Sequence, residues 1–154
     1  MSTRPGTRTH VHEESFAASP ERLFSILHMP SAIRKWWGAT RAIVVPREGG
    51  LWAAIWGEED EPDHITTATL SVFDPPRRIV LSNYLVVAKS GPLPFDADFE
   101  TEFSIRVAKD KSSILRVAQA GFPMDACADE FYTACDRGWR DTFAGIRKYL
   151  GDEE

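Results

Sequence analysis

The stretch 125-DACADEFYTACDRGWRDTFAGIRKYL-150 predicts one long amphipathic helix, and the predicted fold is built around it. Residues in an α-helix advance by about 100° each, and at that spacing the apolar side chains of this stretch fall on one side of the helix and the charged ones on the other. The apolar side carries Ala128, Phe131, Cys135, Gly138, Trp139, Thr142, Phe143, Ile146, Tyr149 and Leu150. At about 1.5 Å per residue the helix is roughly 39 Å long, so we expect it to cross a whole sheet.

Before this helix, apolar and polar residues alternate, which is the pattern of β-strands with one buried face. Turn-forming sequences, such as residues 47–50 and 74–76, join the later strands without an intervening helix. Strands joined in this way are antiparallel neighbours. We predict seven strands, near residues 9–17, 40–47, 50–57, 65–73, 78–88, 97–108 and 112–121.

Two short helices are predicted between the first and second strands. Ser19 can cap a helix that starts at Pro20, and Pro30 ends that helix and starts a second one over residues 31–37, which Gly38 stops. The fold class is therefore α+β, with a curved seven-stranded antiparallel sheet around a long C-terminal helix. We expect a single domain over residues 1–154, with an ordered core from about 9 to 150 and short flexible termini.

The charge balance of the chain is acidic, with 18 Lys and Arg against 23 Asp and Glu and a formal net charge of −5. Nucleic-acid-binding proteins normally have the opposite balance, so we expect no nucleic-acid partner. No stretch approaches the roughly 20 apolar residues of a membrane span, and the N-terminus lacks the apolar core of a signal peptide, so we expect a cytoplasmic protein. Cys127 and Cys135 are roughly 12 Å apart along the predicted helix, which is too far for a disulfide.

Aromatic residues are the least ordinary feature of the composition, with five Trp and nine Phe in 154 residues. Because a straight helix and a strongly curved sheet cannot touch along their whole length, we expect a hollow between them. The aromatic side chains either fill this hollow as core or line it as the wall of a ligand pocket. Tyr84 or Arg116 would orient a polar end of the ligand, and Gln119 and Tyr132 are further candidates. The candidate pocket residues are Trp36, Trp37, Trp52, Trp56, Tyr84, Phe99, Phe103, Arg116, Phe131, Cys135, Trp139 and Phe143.

Few groups in the sequence point to catalysis or metal binding. His10 and His12 lie two residues apart on the first predicted strand, so their side chains share a face and can in principle bind one metal ion. Because no third ligand is visible, we expect both to be exposed strand residues, and no metal or cofactor is predicted. His64 is likewise expected at the surface. No catalytic residue is assigned, and an inward Asp98 or Glu100 would favour an enzyme.

Several motifs, in order along residues 10–150, resemble those of one known family. They are Ala18-Ser19-Pro20-Glu21-Arg22-Leu23-Phe24, Trp36-Trp37-Gly38, Gly49-Gly50-Leu51-Trp52, Asp74-Pro75-Pro76, Gln119-Ala120-Gly121-Phe122 and Gly138-Trp139 ahead of Ile146-Arg147-Lys148-Tyr149-Leu150. The family is the Hsp90-ATPase-activator-homologue-like group of the START/Bet v 1-like (SRPBCC) superfamily. The resemblance implies the helix-grip fold, which agrees with the architecture predicted from the periodicity.

The resemblance leaves three kinds of function open, because such families include ligand-binding regulators, polyketide cyclases and aromatases, and a co-chaperone domain. The leading hypothesis is a module that binds an apolar or aromatic small molecule in a hydrophobic cavity between the sheet and the C-terminal helix. The alternatives are a cyclase- or hydrolase-like enzyme that uses the same cavity, and a protein-interaction domain that binds Hsp90 or forms a homodimer. Fold kinship alone does not choose among them.

Overall fold

The computed structural model describes residues 6–93 and 95–152 of the chain. The predicted flexible termini fall partly on residues 1–5 and 153–154, which lie outside the described residues. The elements are β1 (Thr7–Phe16), α1 (Pro20–His28), α2 (Pro30–Trp36), β2 (Arg41–Val44), β3 (Leu51–Gly57), β4 (Pro62–Asp74), β5 (Arg78–Ala88), β6 (Glu100–Val107), β7 (Ser113–Pro123), a 3-10 turn (Ala126–Ala128) and α3 (Asp129–Asp152). None of the described helices combines the length and the apolarity that crossing a membrane requires.

The seven strands form one antiparallel sheet in the order β1-β7-β6-β5-β4-β3-β2. From β2 to β7 each strand pairs with the next one along the chain, which is the meander that the tight turns predict. β1 then pairs with β7, so the first and last strands of the chain are neighbours. The predicted α+β fold, with its two short helices and its long C-terminal helix, is confirmed.

The two short helices close one end of the sheet. The Ser19 hydroxyl accepts a hydrogen bond from the Arg22 backbone N–H at 3.2 Å, so the predicted N-cap of α1 is present. Gly38 follows α2 with a φ of +74°, a left-handed conformation that glycine adopts at little cost. Two backbone carbonyls near the end of α1 accept hydrogen bonds from tryptophans. Trp36 Nε1–H donates to Ile26 O and Trp52 Nε1–H donates to Leu27 O.

The C-terminal helix packs unevenly against the sheet. Its second half is buried, with Phe143 and Ile146 almost inaccessible to solvent, whereas Phe131 and Cys135 in the first half are only half-buried. The helix also begins at Asp129, later than predicted, because the preceding residues form a separate 3-10 turn. α3 is therefore closely packed along its second half, while its first half contacts β1, where the Tyr132 hydroxyl donates to Thr9 O, and leaves a space beside the inner faces of β4 to β7.

Candidate functional site

A cavity of about 330 Å³ lies where the first half of α3 stands away from the sheet. This volume is at the lower end of the range of about 300–1,000 Å³ that is typical of small-molecule sites. Its walls come from the inner faces of β4 to β7, from α3 and from Trp37, which follows α2. The lining residues are Trp37, His64, Thr66, Leu81, Tyr84, Val86, Phe99, Thr101, Phe103, Gln119, Phe131, Ala134, Cys135, Gly138, Trp139 and Thr142.

The structure brings seven of the twelve candidate pocket residues to this wall. They are Trp37, Tyr84, Phe99, Phe103, Phe131, Cys135 and Trp139. Aromatic rings contact one another in two groups of this wall. In the first, the ring centroid of Trp139 lies 5.8 Å from that of Phe103 and 6.2 Å from that of Trp37. At the other end, the rings of Phe99 and Phe131 lie 5.7 Å apart.

Three candidates belong to the packed core instead. Trp36 and Trp52 direct their indoles toward the last turn of α1, where backbone carbonyls accept their N–H groups. Phe143 lies in the half of α3 that contacts the sheet closely, and it packs against Phe16. These residues hold the closed end of the fold together and do not line the cavity.

Trp56 and Arg116 are also absent from the wall. The Trp56 ring stands behind it, with its centroid 5.3 Å from Trp37 and 5.2 Å from His64, so it supports two residues that do line the cavity. Arg116 pairs with Glu13 and Ser104 across the neighbouring strands, while Leu115 and Val117 on either side of it are fully buried. Because side chains alternate along a strand, Arg116 faces outward.

Sequence reasoning missed most of the small and polar residues of the wall. His64 and Thr66 have the same strand phase as the buried Ala68 and Leu70, and this phase is the signal that could have placed them inward. The expected surface position of His64 is therefore wrong. Gln119, which was considered as a polar group of the pocket, does line the cavity, whereas Tyr132 instead packs against Phe122.

Polar side chains in the wall are paired with one another. The Tyr84 hydroxyl donates to the Thr101 hydroxyl oxygen at 2.7 Å, and burial raises the Tyr84 pKa, so the phenol stays protonated. The Trp139 indole N–H donates to Gln119 Oε1 at 2.7 Å. This bond occupies the amide oxygen of Gln119 and leaves its amide N–H groups able to donate to other partners. His64 Nε2 lies 2.7 Å from the Thr66 hydroxyl, and burial lowers the His64 pKa, which favours the neutral imidazole.

The wall carries little catalytic chemistry. None of the described residues that line the cavity is Asp, Glu, Lys or Arg. Asp98 is exposed, and Glu100 alternates with the inward Phe99 and Thr101, so neither carboxylate faces the cavity. Burial raises the pKa of the Cys135 thiol to about 11, so at neutral pH it is a thiol and a weak nucleophile. Among the described wall residues, the arrangement offers apolar surface and neutral hydrogen-bonding groups, with His64 as a titratable side chain beside them.

The two histidines of β1 are not exposed as expected. His10 is only 4% exposed, and its ring lies 5.0 Å from that of Phe122. His12 Nε2 lies 3.1 Å from Asp136 Oδ1. The expectation was wrong because α3 covers the face of β1 that carries both rings, which no local pattern in the strand reveals.

Comparisons with known proteins agree with this architecture. The family model described as "Activator of Hsp90 ATPase homolog 1-like protein" matches residues 17–151. No curated protein matches the chain. A crystal structure of a Mesorhizobium loti protein matches with a TM-score of 0.76 at 20% identity, over 96% of this chain and 99% of that one.

Two further solved structures show the same likeness. A Rhodobacter sphaeroides protein has a TM-score of 0.73 at 19% identity, over 99% of both chains. The solution structure of the Aha1 dimer from Colwellia psychrerythraea has a TM-score of 0.65 at 13% identity, over 93% of this chain and 96% of that one. At these identities the likeness shows the fold, and function has to be argued from the site.

Proposed function

Because the chain belongs to the family of Activator of Hsp90 ATPase homolog 1-like proteins and has an uncharged aromatic cavity, we propose that it binds a small apolar or aromatic molecule between the sheet and α3. The observation that carries the proposal is the composition of the wall. Aromatic rings and aliphatic side chains provide most of it, and the polar groups are few. This is the usual makeup of a small-molecule site.

The polar pairs of the wall define which ligand fits best. Gln119 accepts from Trp139 and so presents its amide N–H groups, and Thr101 accepts from Tyr84 and so keeps its own hydroxyl hydrogen for another partner. Both residues can donate to a ligand, while none of the described wall residues offers a full charge to pair with an ion. The preferred ligand is therefore an uncharged aromatic or aliphatic molecule with one or two hydrogen-bond acceptors.

Tryptophan fluorescence tests this proposal directly, since Trp37 and Trp139 line the cavity. Titration with a library of aromatic ketones, phenols and alkyl compounds is expected to find at least one that changes the emission saturably with one site per chain. The Cys135→Phe variant, which adds a ring inside the cavity, is expected to weaken that binding strongly. Cys127→Phe is the matched control, because Cys127 is exposed and lies outside the wall.

The two variants separate cavity binding from other causes. If no compound binds saturably, or if Cys135→Phe binds as well as Cys127→Phe, the cavity is not a ligand site. Far-UV circular dichroism checks that both variants keep the fold.

A second candidate function uses the outer face of the sheet. Across β2 to β5, Ile43 pairs with Ala53, Ala53 with Thr67 and Thr67 with Leu85. Ile43 is 52% exposed and Leu85 59%, and Val87, two residues further on the same face, is 49% exposed. The residues between them are not exposed apolar side chains, since Ala53 is buried and Thr67 is polar and half-buried. Exposed apolar side chains grouped on one face of a sheet are typical of protein-interaction surfaces.

This face is a candidate contact for a second copy of the chain or for Hsp90. Light scattering over a range of concentrations and a pull-down with purified Hsp90 distinguish the two partners. Leu85→Lys is expected to abolish either contact, and Val107→Lys is the matched control, because Val107 is equally exposed but lies at the end of β6. A monomer at every concentration, without Hsp90 capture, would remove this candidate.

A further inference from the structure

Two histidines of β1 and one carboxylate of α3 form a cluster that ligand binding in the cavity does not use. One nitrogen each of His10 and His12 and one oxygen of Asp136 all lie within 4.8 Å of one another. The histidines share a face because they are two residues apart on a strand. α3 crosses this face and brings in Asp136, which is more than a hundred residues away in the sequence.

His10 is buried without a polar partner. Its ring packs against Phe122 and Tyr132, with centroid distances of 5.0 and 5.3 Å. Neither Nδ1 nor Nε2 makes a hydrogen bond to any described residue. Since buried polar atoms in proteins are nearly always satisfied, this imidazole is available to a partner other than the described residues.

Asp136 is oriented toward the histidines. Its Oδ2 accepts a hydrogen bond from Arg140 at 3.2 Å, one helical turn further along α3, while Oδ1 lies 3.1 Å from His12 Nε2. The His12 contact is not aligned as a hydrogen bond, so this nitrogen too has no hydrogen-bond partner among the described residues. Metal–ligand distances of about 2.0–2.2 Å place neighbouring ligand atoms roughly 3.3 Å apart in a tetrahedral site. The 3.1 Å between His12 Nε2 and Asp136 Oδ1 is close to this value, and His10 completes the cluster within 4.8 Å.

The burial of His10 distinguishes a metal site from an ion pair at the surface, since its ring is only 4% exposed and lies beside His12 and Asp136. A simple ion pair between His12 and Asp136 would account for two members of the cluster and would leave His10 unexplained.

We propose that His10, His12 and Asp136 bind one divalent first-row transition metal ion, with Zn²⁺ as the reference case. Two imidazoles and one carboxylate suit such ions better than Mg²⁺ or Ca²⁺, which prefer oxygen ligands alone. Three protein ligands leave a coordination position for water or another molecule. The ion links β1 to α3, and because it binds only the folded arrangement, it stabilises the fold.

The test uses untagged full-length protein that has been stripped of metal with a chelator. Calorimetric titration with Zn²⁺ is expected to give one equivalent per chain, and Co²⁺ is expected to give the visible absorption bands of a four- or five-coordinate site. Asp136→Asn and His12→Gln are expected to weaken Zn²⁺ binding by more than about tenfold and to remove the Co²⁺ bands. Two variants are used so that a folding defect in one does not decide the result.

Matched controls remove one group of the same kind elsewhere. His28→Gln takes away a histidine that packs against Phe73 and does not line the cavity, and Asp141→Asn takes away an exposed carboxylate of α3. Both are expected to bind Zn²⁺ like the unaltered chain. The proposal is overturned if Zn²⁺ binds with no defined stoichiometry, if Asp136→Asn and His12→Gln bind it unchanged, or if the controls weaken binding equally.

Discussion

At the scale of single residues, His64 is the titratable group that most directly affects the chemistry of the cavity. It lines the wall next to Thr66, and burial already lowers its pKa below the ordinary value of 6.5. A bound apolar molecule removes more water from the imidazole and therefore lowers its pKa further. The charged form of His64 consequently opposes binding.

This coupling predicts the pH dependence of ligand affinity. As pH falls through the pKa of His64 in the free protein, which lies below 6.5, His64 gains a proton there but resists it in the complex, so affinity decreases with falling pH. Fluorescence titrations at about pH 7.5, 6 and 5 measure the effect, and His64→Gln is expected to flatten it. An affinity that rises as pH falls, or the same slope in His64→Gln, would contradict this role.

The hydrogen bond between Tyr84 and Thr101 is a second residue-scale determinant, because both groups are buried beside the cavity. Tyr84→Phe leaves the Thr101 hydroxyl without this partner and is expected to lower the free energy of unfolding by about 1–2 kcal/mol. Thr101→Val in the same background is expected to recover much of the loss, since removing both partners is nearly neutral. Urea unfolding of the two single variants and the double variant measures the coupling; additive losses would show that the bond contributes little.

At the scale of elements, α2 and α3 cross closely at Gly145. A Cβ atom added there would lie 2.5 Å from the carbonyl oxygen of Trp36, a backbone atom that cannot move away easily. Gly138, seven residues earlier in the same helix, borders the cavity, and an added Cβ would meet nothing within 4 Å. The helix crossing therefore requires a glycine at position 145, whereas no contact requires one at position 138.

Alanine at each position tests this difference. Gly145→Ala is expected to destabilise the protein by about 1–3 kcal/mol, because the helices must separate. Gly138→Ala is expected to stabilise it by up to about 1 kcal/mol, because alanine favours the helix. Thermal unfolding of both variants compares them, and a change of the same sign in both would refute the close crossing of α2 and α3.

The elements themselves were largely predictable, because their signals are local. Ser19 caps α1, and the alternation of apolar and polar residues within each later segment identifies that segment as a strand. The predicted start of α3 at residue 125 is too early, because residues 126–128 continue the helical pattern in sequence but form a 3-10 turn. Local pattern does not distinguish these two conformations.

At the scale of the whole molecule, the cavity exists because a straight helix and a curved sheet separate at one end. Which aromatic residues line the cavity depends on that separation. Trp52 and Trp139 look alike in sequence and both belong to the buried core, but only Trp139 also lines the cavity. For the same reason, the sequence does not reveal Asp136 as a neighbour of His10 and His12, because these residues meet only where α3 crosses β1. Long-range packing, unlike alternation or capping, is not encoded in any single segment.

The cavity between the sheet and α3 is proposed to hold a small uncharged molecule. A crystal structure of the protein with the tightest-binding compound from the fluorescence titrations tests this directly. Density for that compound is expected between Tyr84, Phe103 and Trp139, within hydrogen-bond distance of Gln119 or Thr101. Density for the compound only on the outer face of the sheet, with the cavity closed by its own side chains, would contradict it.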